Sequence, residues 1–82
     1  MEREFRDISI TLARRYVTSL PGCTPTGDVF SGPDWTITLR ELDPVPVGPM
    51  QFDRVHFLLT GSGEAVDRVW GILQHKFIRG GA

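Results

Sequence analysis

The chain has 82 residues, 40% of them hydrophobic and 23% charged, with a formal charge of −1 at pH 7. That makes one domain, residues 1–82, whose thin core must use nearly all of its large apolar side chains, and it excludes a disordered chain. The charge balance argues against a protein that grips nucleic acid chiefly by neutralising phosphates, and a single cysteine, Cys23, excludes an internal disulfide and fits a reducing cytoplasm.

No apolar run approaches the roughly 18–20 residues of a membrane span. The opening "MEREFRDISI" mixes charges of both signs and lacks the apolar heart of a signal peptide. The expectation is a soluble, cytoplasmic protein with no membrane partner.

The first element, "EREFRD", reads as a short strand. In "SITLARRYVTSLPG", Leu12, Ala13, Tyr16, Val17 and Leu20 recur at helical spacing and form one apolar stripe. Ser9 or Thr11 caps the start of this helix, and Pro21-Gly22 stops it. "GDVFSG" and "DWTITLREL" follow, joined by a tight turn at "SGPD", which predicts a hairpin. In the second strand Trp35, Ile37 and Leu39 alternate with Thr36, Thr38 and Arg40, a period of two.

"DPVPVGP" comes next. Pro44 and Pro46 share parity, so in an extended chain the amides they lack lie on one edge, which suits a sheet edge guarded against strand addition. A polyproline-like loop is the alternative. "QFDRVHFLLTG" is the clearest strand, with Val55, Phe57 and Leu59 on one face. From Ser62 to about Arg79 runs the clearest helix. Ala65, Val66, Val69, Trp70, Ile72, Leu73 and Phe77 share one side of it, and Glu64, Asp67, Arg68, Gln74 and His75 lie outside that stripe. Gly80 ends it.

The order is strand, helix, three or four strands, helix. One apolar stripe per helix and one apolar face per strand predict an α+β, two-layer sandwich: an antiparallel sheet of four to five strands with both helices on one face. The other face of the sheet is left open.

Glycines in "LLTGSGEAVDRVW" invite a phosphate-site reading at the start of the last helix. The dinucleotide fingerprint would need a glycine where Val66 stands, and a P-loop would need a Gly-Lys-Ser/Thr ending. Glu64 and Asp67 already place negative charge in the first turn. A plain corner explains every residue: Gly61 turns, Ser62 caps, and Glu64 complements the dipole.

Cys23, His56 and His75 have no spacing suited to a metal, and no catalytic constellation stands out, so neither an enzyme nor a cofactor is expected. The ending "RGGA" differs from the terminal Gly-Gly of sulfur carriers, since Ala82 follows Gly81, and reads as a disordered end. Gly71, in mid-helix on the outer side, reads as a tolerated cost rather than a point of close approach.

More informative is the open sheet face. If Trp35, Ile37, Leu39, Val55, Phe57 and Leu59 meet the helices, alternation turns Thr36, Thr38, Arg40, Arg54, His56 and Leu58 the other way. Thr36, Thr38, Arg40, Arg54 and His56 are the candidate binding residues: a threonine-rich surface with a small basic patch. A solvated outer face is the plain alternative. Read functionally, it is a docking face for a second copy or another protein. Leu42, Phe52 and Leu58 share its parity and favour self-association. An anionic metabolite held near Arg40 and Arg54 is the second option. RNA comes third, because only Phe52 is available for stacking.

"RDISITLARRYVTSLPG", then "GDVFSGPDW" and a final amphipathic helix ending "RGG", resemble a small domain found as the C-terminal part of a protein related to the small subunit of molybdopterin synthase. There it follows a ubiquitin-like sulfur-carrier domain. The resemblance implies a fold similar to the TATA-binding-protein type, strand-helix-four strands-helix. It also implies an accessory role near molybdenum-cofactor or sulfur-transfer chemistry. No catalytic motif anchors it, so it implies no functional residues, and without the ubiquitin-like part no sulfur-carrier activity of the chain's own.

Overall fold

A computed structural model describes residues 1–77. The elements are β1 (Glu2–Arg6), α1 (Ile10–Thr18), β2 (Thr24–Thr26), β3 (Val29–Ser31), β4 (Trp35–Val47), β5 (Met50–Gly61) and α2 (Gly63–Phe77). The strands form one sheet in the order β1-β5-β4-β3-β2, and every neighbouring pair is antiparallel. This is the two-layer α+β arrangement expected, with four strands between the helices. The expected helix end at Arg79 and Gly80, and the "RGGA" tail, lie outside the described residues.

Burial follows the alternation. Trp35, Ile37 and Leu39 of β4 and Val55, Phe57 and Leu59 of β5 are all buried, together with Phe30 of β3. They meet Ala13 and Val17 of α1, Leu20 just beyond it, and Ala65, Val69 and Leu73 of α2. No polar or charged residue is buried among the described residues. Ile72, placed in the apolar stripe by its spacing, sits at the margin of that stripe and is 43% exposed.

The helix starts are built as their sequences direct. The Ser9 hydroxyl accepts from the Leu12 amide at 3.1 Å, and Ser62 accepts from the Ala65 amide at 3.1 Å. Each satisfies one of the amides that a first turn leaves without a partner. Gly61, just before α2, has φ +150° and pairs with Trp35. A Cβ there would meet the Asp34 carbonyl oxygen at 2.5 Å. The glycine corner is therefore a backbone crossing in which Gly61 fits the gap, Ser62 caps and Glu64 occupies the first turn.

The segment around Pro44 and Pro46 is strand, not polyproline loop. β4 runs through it to Val47, with an irregularity in register between Leu42 and Val45, and then pairs Val45 with Phe52, Pro46 with Gln51 and Val47 with Met50. β3 covers β4 only from Thr36 to Thr38. Beyond Arg40 one edge of β4 has no paired strand among the described residues, and that edge is where proline can sit without breaking a ladder. Residues 42–53 thus form a two-stranded arm that extends past β3.

Candidate functional site

The register of the ladder orders the open face into rows. At one end Thr24, Ser31, Thr36 and Thr60 lie side by side across four strands. The next row holds Thr26, Val29, Thr38, Leu58 and Glu2. Then come Arg40, His56 and Glu4, followed by Leu42, Arg54 and Arg6. Past the bulge the rows are Val45 with Phe52 and Val47 with Met50. All five candidate residues, Thr36, Thr38, Arg40, Arg54 and His56, therefore share this face, on the two central strands.

The charged rows differ from the basic patch expected. β1 brings Glu2 and Glu4 into them, because its alternation points Arg3 and Phe5 to the helix side and Glu2, Glu4 and Arg6 to the open side. His56 Nε2 lies 2.6 Å from Glu2 Oε2. Arg54 reaches Glu4 Oε1 at 3.3 Å, and its Nε donates to the Asp43 carbonyl at 2.8 Å. Arg6 meets the other Glu4 oxygen at 3.2 Å. Among the described residues Arg40 alone of the three arginines in these rows has no ion pair. The result is a mixed-sign band in which exposed pairs are each worth about 1 kcal/mol or less. The signal for Glu2 and Glu4 was present in "EREFRD" as a period of two, but nothing local says which strand β1 joins.

The open face thus carries threonines at one end, mixed charges in the middle and apolar side chains on the arm. Among the described residues no three His, Cys, Asp or Glu side chains gather as a metal would need. Cys23 lies at the margin of the core, half-buried, and burial raises its thiol above the ordinary value, which disfavours the reactive thiolate.

On the helix side a cleft of about 440 Å³ opens between the end of α1, the turn before β4 and α2. Leu20, Pro21, Pro33, Trp35, Val69 and Ile72 line it, and Arg68 bonds Asp34 at 2.6 Å beside it. That ion pair ties α2 to the β3–β4 turn.

No helix of the described residues is long and apolar enough to cross a membrane. Among known proteins, no curated sequence matches the chain. The profile of the family described as "Archaeal MoaD-like protein" matches residues 1–82, agreeing with the resemblance drawn from the sequence. With its whole length inside that match, the chain belongs to the archaeal MoaD-like protein family.

Proposed function

We propose that this protein is a non-enzymatic accessory domain of the cytoplasm that works by docking through the open face of its sheet. Its family name links it to the molybdenum-cofactor and sulfur-transfer field, and we place its partner there. The observation that carries the reading is the face itself: both helices cover one side of the sheet, and the other side carries five strands' worth of outward side chains with no element over them among the described residues. Thr36, Thr38, Arg40, Arg54 and His56 form its centre, flanked by Glu2 and Glu4. Thr36 and Thr38 offer hydroxyls at low entropic cost, and Arg40 offers a guanidinium that no carboxylate engages among the described residues.

The anionic-metabolite alternative draws less support. Arg54 and His56 already hold Glu4 and Glu2, so an incoming anion would have to displace carboxylates. A photo-reactive amino acid placed at Thr38, and separately at Glu64 on the helix side, tests the docking reading in cells. Adducts from Thr38 and none from Glu64 are expected. Adducts from Glu64 alone, or from neither position, overturn it.

A further inference from the structure

The apolar side of the ribbon reverses along its length. In the body of the sheet the helix side is apolar: Trp35, Ile37, Leu39, Val55, Phe57 and Leu59 are buried there. In the arm the register puts Leu42, Val45, Val47, Met50 and Phe52 on the open side. Gln51 and Asp53 take the side that held the core. On β5 this is a parity switch, from Met50 and Phe52 to Val55, Phe57 and Leu59, with no break in the strand. Val47 is 55% and Met50 58% exposed, the two most exposed large apolar side chains among the described residues. An uncovered two-stranded ribbon is marginal in water, so an arm with its greasy side turned away from its own helices is built to be covered from the open side.

We infer that the covering element is a second copy of this chain, packed open face to open face about a two-fold axis with the apolar sides of the arms inside the contact. This deepens the docking reading and rests on it. One observation favours a copy of the chain over an unrelated partner, and a second shows that there is room for it. The band beside the arm carries both signs, Glu2 and Glu4 among Arg6, Arg40, Arg54 and His56, and a mixed-sign face is one that a two-fold axis can make complementary to itself. A face of single sign would instead select a partner of the other sign. The molecule also measures 43 by 27 Å along its two longer axes, room for the roughly 800 Å² per partner that a stable interface needs.

Sedimentation velocity on the full chain over a concentration series tests this. Wild type is expected to sediment at twice its 9.2 kDa mass. Val47→Lys and Met50→Lys, each on the apolar side, should weaken self-association by about tenfold or more. Gln51→Lys, on the polar side of the same arm, should leave it intact. Far-UV circular dichroism checks that each variant is folded, as substitutions at such exposed positions should be. A wild type that sediments as a monomer at every concentration overturns the proposal. So does a dimer indifferent to both apolar-side variants, or one that Gln51→Lys dissociates equally. Failure here leaves the docking reading separately decidable, since a Thr38 adduct with a different protein would uphold it while a monomer in the centrifuge removes only the second copy.

Discussion

The ring of Phe5 on β1 lies nearly parallel to that of Phe77 at the end of α2, with 4.5 Å between centroids and 16° between planes. Phe77 in turn meets Tyr16 of α1 edge-on at 5.4 Å, so one stack joins an edge strand to both helices. Phe5 also meets Phe57 edge-on at 5.5 Å. β1 is otherwise held by its ladder with β5, by the exposed Glu2–His56 and Glu4–Arg54 pairs, and by Trp70 of α2, whose ring stacks on Phe5 at 6.0 Å and lies 6.0 Å from the Arg3 guanidinium. Replacing Phe5 by Ala should cost about 2–3 kcal/mol, below the usual figure for a fully buried ring because Phe5 is only half-buried. Urea denaturation reads the loss. Hydrogen exchange should also quicken in residues 2–6 more than in residues 36–39, and equal quickening would show that the stack is not what pins β1.

Gly61 and Gly71 should respond to alanine in opposite directions. At Gly61 the backbone is in a region that side chains avoid, and the added carbon would meet the Asp34 carbonyl, so Gly61→Ala should destabilise by about 2–3 kcal/mol. At Gly71 nothing stands within 4 Å of the added carbon, and the residue is inside α2. Gly71→Ala should stabilise by about 1 kcal/mol and raise the melting temperature by roughly 4–8 °C. Thermal melts of the two variants beside wild type decide the matter. A destabilised Gly71→Ala would mean that the helix needs glycine there for something the single chain does not contain.

Cys23 should be a sluggish nucleophile. Its thiol value is raised by burial, so at a given pH less of it is thiolate, and thiolate is the form that attacks. At pH 8 the folded chain should react with iodoacetamide several-fold more slowly than the urea-unfolded chain. Mass spectrometry of timed samples gives both rates. Equal rates would contradict the assignment of Cys23 to the margin of the core.

How much of this was legible in the sequence depends on whether each element carries its own apolar period. β4, β5 and both helices do, and the six residues expected against the helices are the ones buried there. β2 does not: Thr24-Pro25-Thr26 is exposed throughout and is a strand only because β3 lies beside it. The segment at Pro44 and Pro46 allowed two readings, and its hairpin partner, Met50 to Phe52, selected one. The candidate face was legible as alternation, and all five of its residues do lie together. Its charge was not, because the Glu2 and His56 side chains meet across 54 positions of sequence.

The prolines of the arm also set a limit on how far association can run. Pro44 and Pro46 offer no amide hydrogen, so the uncovered margin of β4 is a poor template for another strand, whatever chain supplies it. Copies that meet by stacking use up their greasy surface in one encounter, whereas copies that met margin to margin would leave a fresh margin each time. Along the β4 margin the prolines thereby disfavour edge-on growth from copy to copy.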